Sequence, residues 1–305
     1  MSPNQAPRQS TTDWRIGKGQ SVILTHPRLI AILNLTPDSF SDGGRLDTPA
    51  DAVHAAHHAA LAGADALDIG GESTRPGARR VSAEEQIARV VPAIKAIRAE
   101  GGILGTIPIS IDTTLAPVAH AALDAGAHII NDVSGATEDP AILSLAASTK
   151  AGLILMHRVL APDQDRYSTS YTPSEAPIRG DVVEHVLQGL RALMQRAVDA
   201  GVDPQRIVLD PGLGFGKTVD QNAMLIRRTS ELLTLGRPIL SALSRKSFVG
   251  AFAADPPLPT DQRLPATLAC SIAHYHAGAR LFRVHDVAAH TQALRVARRL
   301  TQPNP

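Results

Sequence analysis

Short apolar runs alternate with longer amphipathic stretches along almost the whole chain. The short runs predict strands over 29–33, 66–69, 107–111, 127–130, 153–156, 207–209, 239–243 and 280–284. The stretches between them read as helices, and local signals mark their ends. Thr48-Pro49 is an N-cap followed by proline at the first helical position. Ser82-Ala-Glu-Glu85 reads as a capping box. Ile87, Val90, Val91, Ile94 and Ile97 then repeat at three and four residues, which makes one apolar helix face. Gly101-Gly102 ends that helix.

Eight strand-then-helix units in about 275 residues is the arithmetic of an α/β (β/α)8 TIM barrel. An open doubly wound sheet is the alternative, and the unit count favours the barrel. Residues 14–25 precede the first unit and read as an N-terminal β-hairpin plugging the barrel's N-terminal mouth. The polar stretch 162–177 reads as a loop on the opposite face. No linker or low-complexity tract splits the chain. Residues 14–301 are therefore expected to form a single domain, with 1–13 and 302–305 as tails.

Several predicted strands end in residues poorly suited to packing and well suited to chemistry. Strand one runs into Asn34, strand two ends at Asp68 and runs on through Gly71-Glu-Ser-Thr74-Arg75-Pro76, and strand three ends at Asp112. Strand four ends at Asn131-Asp132 and strand five at Met156-His157. Strand six gives Asp210-Pro-Gly-Leu-Gly-Phe215-Gly-Lys217, strand seven Ser244-Arg-Lys246-Ser247, and strand eight Arg283-Val-His285. In a parallel barrel these ends converge on the C-terminal rim, where barrel enzymes place their chemistry. Asp112, Asn131 and Asp210 can accept from a flat N–H edge, a strong charge-assisted arrangement for a carboxylate. Lys246 can donate to a carbonyl or ring nitrogen, and Arg283 can stack on a heterocycle. Thr74, Arg75, Arg283 and His285 can hold an anion. Asn34 offers an oxygen to a hard cation such as Mg²⁺. The set suits a planar, amide-rich heterocycle carrying phosphate.

Composition narrows the setting. The 305 residues carry 30 Lys+Arg against 29 Asp+Glu, a net charge of +1, which argues against bulk nucleic-acid binding. One cysteine excludes an internal disulfide framework and suits a reducing, cytoplasmic compartment. No apolar run approaches the roughly 18–20 residues of a membrane helix. The polar, proline-containing start does not read as a signal peptide.

Seven ordered motifs together resemble the dihydropteroate synthase family. They are Ile32-Leu-Asn-Leu-Thr-Pro-Asp-Ser-Phe-Ser-Asp-Gly-Gly44, Gly71-Glu-Ser-Thr-Arg-Pro-Gly77, Ser110-Ile-Asp-Thr113, Asn131-Asp-Val-Ser-Gly135, Asp210-Pro-Gly-Leu-Gly-Phe-Gly-Lys-Thr218, Ser244-Arg-Lys-Ser-Phe248 and Arg283-Val-His-Asp-Val287. The resemblance implies condensation of 6-hydroxymethyl-7,8-dihydropterin diphosphate with p-aminobenzoate, giving 7,8-dihydropteroate and diphosphate. It implies Asp112, Asn131, Met156, Asp210, Phe215 and Lys246 around the pterin, with Arg283 as a stacking lid. Asn34, Thr74, Arg283 and His285 resemble the diphosphate clamp, with Asn34 on Mg²⁺. Phe40, Thr74, Arg75, Pro76, Phe215, Lys246 and Ser247 resemble the p-aminobenzoate site, which sulfonamides mimic. Asp112, Asp210, Lys246, Arg283 and His285 are the expected catalytic set. The family also implies a homodimer. Whether Asp38 or Asp42 joins the metal stays open.

The chain departs from the family pattern twice. Met156-His157 is followed by Arg158-Val-Leu-Ala-Pro162, and Arg79-Arg80 is unusually basic. Two competing readings are a methyltetrahydrofolate-dependent methyltransferase barrel and a non-catalytic pterin-binding paralogue. The first would not need the Ser244-Arg-Lys-Ser247 motif, and the second would be expected to lose Asn34, Thr74 or Lys246. Plainer readings cover the remaining signals. Gly212 to Lys217 fails the P-loop spacing. His54, His57 and His58 read as a solvated helix face, and Cys270 as a small buried apolar residue. The pair Arg227-Arg228 reads as solvated, and Asp132 and Asp286 as N-caps.

Overall fold

The computed structural model of the chain describes residues 13–36 and 48–301. Strands β1 (Asp13–Arg15) and β2 (Ser21–Ile23) pair antiparallel, with Trp14 opposite Val22. Eight more strands follow: β3 (Arg28–Asn34), β4 (Ala66–Gly70), β5 (Ile109–Asp112), β6 (Ile129–Asp132), β7 (Gly152–Met156), β8 (Ile207–Asp210), β9 (Leu240–Ser241) and β10 (Leu281–Val284). They pair in the order β8-β7-β6-β5-β4-β3-β10-β9, all parallel. A parallel bridge between Leu209 and Ile239 joins the two outer strands. At that seam Leu209 N–H donates to the Pro238 carbonyl at 3.0 Å. The sheet is therefore closed, and the doubly wound alternative falls away.

The helices are α1 (Pro49–Leu61), α2 (Ala83–Ala99), α3 (Gly102–Thr106), α4 (Ala116–Ala125), α5 (Ala141–Thr149), α6 (Val182–Asp199), α7 (Val219–Arg227), α8 (Thr229–Leu232), α9 (Ser247–Ala253), α10 (Leu264–His276) and α11 (Val287–Thr301). The Thr48 cap is reciprocal: its hydroxyl accepts from Asp51 N–H, and the Asp51 carboxylate accepts from Thr48 N–H. The box expected at Ser82 forms only by half. Its hydroxyl accepts from Glu85 N–H at 3.3 Å, while the Glu85 carboxylate pairs with Arg89. Val90, Ile94 and Ile97 are buried on the predicted face of α2. No described helix is long and apolar enough to cross a membrane.

The core divides into two shells, because side chains on a strand alternate between faces. Leu67, Ile69, Ile109, Ile111, Leu153 and Leu155 pack outward in the shell shared with the helices. Ile30, Ala66, Ile129, Ile154, Val208, Leu240 and Leu281 form a separate inner cluster with Trp14, Ile16, Val22 and Leu24 of the hairpin. The hairpin thus seals the N-terminal end of the barrel, as its position in the sequence suggests. Trp14 Nε1 donates to the Arg206 carbonyl at 2.8 Å, and Gly17 N–H to the His128 carbonyl at 2.9 Å. Gly152 lets the plug approach: a Cβ there would lie 2.9 Å from Ile16 Cγ2 and 3.2 Å from Trp14 Cζ2.

Arg227 is exposed as expected, and Arg228 faces solvent while pairing with Asp181 at 2.9 Å and Glu231 at 2.6 Å. Cys270 is half-buried, and that burial pushes its thiol up to about 11. His54, His57 and His58 are exposed on α1.

Gly152→Ala is expected to cost about 1–3 kcal/mol of stability through overpacking under the plug, read from the denaturant midpoint at unchanged slope. Trp14 is the chain's only tryptophan, so its emission follows the plug directly. Its unfolding transition should coincide with that of far-UV circular dichroism. Earlier loss of the fluorescence change would mean that the plug undocks on its own.

Candidate active site

The alternation that builds the inner apolar layer continues one step up each strand and changes chemistry. Two residues beyond Ala66 stands Asp68, and two beyond Ser110 stands Asp112. Ile129 is followed in the same way by Asn131, Ile154 by Met156, Val208 by Asp210, and Leu281 by Arg283. Register sets Asp112 beside Asn131 and Met156 beside Asp210. All five of the residues Asp68, Asp112, Asn131, Met156 and Asp210 are buried.

Arg283 spans this layer. Its Nε donates to Asp68 Oδ2 at 2.6 Å and a terminal nitrogen donates to Asp112 Oδ2 at 2.7 Å. Asn131 Nδ2 donates to the same Asp68 oxygen at 3.2 Å. The guanidinium is thus a fixed plane held between two carboxylates. Burial pushes the Asp112 carboxyl upward against the pull of Arg283, and raises Asp210 against the pull of Lys246. Asp68 Oδ1, Asp112 Oδ1 and Ser110 Oγ are buried without a hydrogen-bond partner. Buried acceptors are rarely left unmatched, and here two carboxylate oxygens need donors.

Above the layer lies a cavity of about 230 Å³. Asn34, Thr74, Arg75, Pro76, Asp112, Phe215, Lys246, Ser247, Arg283 and His285 all line it. Asn131, Met156 and Asp210 are not on its wall. Met156 packs beneath it with Phe215 and Val133, and Asp210 is charge-coupled to Lys246. Phe40, Asp38 and Asp42 lie outside the described residues. The cavity also recruits Glu72, Tyr167, Arg245, Thr260 and Arg263, which sequence reasoning did not single out. Asp68, read from the sequence as the polar end of strand two but given no role there, is the residue that pairs with Arg283.

The glycine-rich segment after β8 is built around a cation. Lys217 is fully buried, and its Nζ donates to the Gly212 and Phe215 carbonyls, both at 2.9 Å. Burial lowers its pKa to about 7. Gly212 has φ +66 and donates to Asp210 Oδ1 at 2.7 Å. A Cβ there would fall 2.0 Å from the His157 carbonyl oxygen, so only glycine fits. Carbonyls around an ammonium are the reverse of a phosphate loop, whose N–H groups face an anion. The same segment presents the Leu213 carbonyl to Lys246 Nζ, which also lies 4.3 Å from the centre of the Phe215 ring. Burial lowers Lys246 to about 8, with Asp210 opposing.

The segment after β9 stores strain. Arg245 has φ 58, a left-handed conformation costing about 1–3 kcal/mol outside glycine. Arg245 N–H donates to Thr267 Oγ1 at 3.2 Å, its carbonyl accepts from Arg263 at 2.9 Å, and its Nε pairs with Asp286 at 2.9 Å. The Asp286 side chain is therefore committed to Arg245 and does not cap α11. Asp132 likewise holds a turn, accepting from Ser134 and Ala136 N–H at 2.7 and 2.6 Å, well before α5. Ser244 Oγ lies 2.9 Å from His285 Nδ1 and so orients that ring.

Among the described residues, no group of three or more His, Cys, Asp or Glu side chains could hold a metal. Asn34 shares the cavity with Arg75, Arg245, Lys246 and Arg283, and the two carboxylates that also line it, Glu72 and Asp112, are paired with Arg80 and Arg283. One amide oxygen in this setting fits a hard cation only if that cation brings anionic ligands of its own. Mg²⁺ bound to substrate phosphates does this.

Comparison with known proteins agrees with this geometry. Residues 30–285 match a model of the pterin binding enzyme family. A dihydropteroate synthase of Synechocystis is 45% identical over 269 residues, covering 88% of each chain. A Xanthomonas albilineans dihydropteroate synthase solved with 4-aminobenzoic acid superposes with a TM-score of 0.83 at 38% identity, covering 96% of this chain and 99% of that one. A structure of the Xanthomonas enzyme in complex with 7,8-dihydropteroate gives 0.80 at 33% identity, covering 96% and 100%. With fold and sequence similarity extending over most of both chains, the chain belongs to the pterin-binding enzymes, and within them to the dihydropteroate synthases.

Proposed function

We propose that the chain joins 6-hydroxymethyl-7,8-dihydropterin diphosphate to p-aminobenzoate, forming 7,8-dihydropteroate and releasing diphosphate. One observation carries the reading. Asp112, whose buried Oδ1 has no hydrogen-bond partner, lines a cavity that also presents Arg75, Arg245, Lys246 and Arg283. The open carboxylate oxygen suits the N–H edge of a pterin, and the cationic groups suit its diphosphate. The relatives solved with 4-aminobenzoic acid and with 7,8-dihydropteroate support the arylamine and the product.

In this reading Asp112, Asn131 and Asp210 bind the pterin edge, Lys246 donates to its acceptor side, and Met156 and Phe215 pack against the ring. The CH₂–O bond to diphosphate breaks, leaving positive charge spread into the pterin. Arg283 and His285 stabilise the departing anion, while Asp112 and Asp210 stabilise the cationic ring. The p-aminobenzoate nitrogen, held near Ser247 and the Thr74-Arg75-Pro76 segment, then bonds to the methylene carbon and loses its proton. No protein nucleophile takes part. Asn34 would hold Mg²⁺ brought in by the diphosphate, and the metal would supply further neutralisation of the leaving group. The family reading carries a homodimer and a cytoplasmic setting with it.

Purified protein with Mg²⁺ should release diphosphate only when both substrates are present; release independent of p-aminobenzoate would contradict the reaction. Asp210→Asn should raise the pterin dissociation constant by about tenfold or more, since charged hydrogen bonds contribute about 1.5–3 kcal/mol; calorimetric titration checks this. Arg283→Ala should lower kcat by about a hundredfold or more. It should also cost about 3–5 kcal/mol of stability, because two buried carboxylates lose their counter-charge. Stopped-flow turnover and denaturant melts separate the two effects.

The pH profile has a defined sign. Lys246 carries its proton below about 8 and loses its positive charge above it, which weakens the hydrogen bonds it donates. kcat/KM should therefore fall on the alkaline side of about 8, and Lys246→Arg, charged throughout, should move that limb upward. An unmoved limb in the arginine variant would remove Lys246 as its source.

A further inference from the structure

Both departures from the family pattern, Arg80 and the segment opening at Arg158, end on one carboxylate. Glu138, in the segment between β6 and α5, accepts from Arg80 on Oε2 at 2.5 Å and from Arg158 on Oε1. Thr114 Oγ1 donates to the same Oε2 at 2.7 Å. Arg80 Nε also lies 3.3 Å from Glu72 Oε1, and that oxygen accepts from Val81 N–H at 3.0 Å. Four segments, those following β4, β5, β6 and β7, therefore meet at Glu138.

This is not an ordinary surface ion pair, which contributes little. The Arg158 side chain is 5% exposed and that of Glu138 19%. The two arginines and Thr114 hold the Glu138 carboxyl down at about 2 although burial opposes them. The carboxylate is thus charged throughout the working range, so the junction acts as a permanent tie and not as a pH switch. Only the Arg80 arm is largely open to solvent, at 45%. That arm leads to the segment 71–82, which brings Thr74, Arg75 and Pro76 to the cavity.

We infer that Glu138 is a positioning residue: through Arg80 it holds segment 71–82 in place and thereby sets the affinity for p-aminobenzoate. The inference rests on the function proposed above. A segment that is already ordered loses less freedom when ligand binds, so its anchor strengthens binding. The pterin groups Asp112, Asn131, Met156, Asp210 and Arg283 stand on strands, and Phe215 and Lys246 stand in the segments after β8 and β9, which the tie does not touch. Its loss should therefore separate the two substrates.

The test begins with the parent enzyme, whose lack of turnover would count against the function and not against the tie. Arg80→Ala should raise KM for p-aminobenzoate roughly tenfold, with a smaller rise in KM for the pterin diphosphate, whose anion meets only Thr74 of this segment, and with kcat nearly unchanged. Arg80→Lys should recover part of the loss. Combining Arg80→Ala with Glu138→Gln should add nothing for arylamine KM beyond the worse single change. Without any turnover assay, Glu138→Gln should be cut faster by trypsin after Arg79 and Arg80 than the parent, well below its melting temperature. If Glu138→Gln fails to fold because Arg158 is left buried, Arg80→Ala carries the test, since it keeps the Arg158 pair. Equal shifts in both KM values, or no shift in the arylamine KM, would overturn the inference.

Discussion

The two-residue alternation of side chains on closed parallel strands governs the rest of this structure. Because the sheet closes through Leu209 and Ile239, every inward position faces the same axis. One inward layer is apolar and is capped by Trp14 and Ile16 of the hairpin. The next inward layer carries Asp68, Asp112, Asn131, Asp210 and Arg283. A slip of one residue in any strand would turn its polar group into the shell under the helices, where no partner waits. Register is thus fixed from both sides, by the apolar layer below and by the ion pairs above.

Charge balance is what makes the polar layer tolerable. Carboxylates taken out of water are costly unless paired. Arg283 answers Asp68 and Asp112 at once, and Lys246 opposes the rise at Asp210. The compensation is incomplete by design of the positions: one oxygen on each of Asp68 and Asp112 has no donor. In the proposed reaction the N–H edge of the pterin brings a donor to the open Asp112 oxygen. Recognition and the electrostatics of the chemistry therefore draw on the same groups.

The segments above the strands are organised by buried cations to an unusual degree. Lys217 gathers the carbonyls of the glycine-rich turn, and that turn places Phe215 and the Leu213 carbonyl against Lys246. Arg263 and Asp286 hold Arg245 in its left-handed conformation. Asp165 accepts from Gly216 N–H and Tyr171 OH, which ties the segment carrying Tyr167 to the glycine-rich turn. These are long-range contacts between segments that alternation does not control.

The sequence by itself determined the repeat and the sidedness of the strand ends, because strand and helix periods are local properties; it favoured a barrel with an N-terminal plug, but closure was decided by the long-range pairing of Leu209 with Ile239. It also indicated the chemistry of the inward layer, since Asp112, Asn131, Asp210 and Arg283 stand at strand ends. Asp68 was legible as a strand-end acid, but its partners Arg283 and Asn131 were not, because they stand on other strands. Tertiary structure alone decided that Arg80 and Arg158 share Glu138, that Asp286 serves Arg245, and that Lys217 faces carbonyls instead of phosphate. Each of those outcomes joins side chains from separate segments, and the pairing energy of two charges depends on a distance in space that no spacing along the chain encodes.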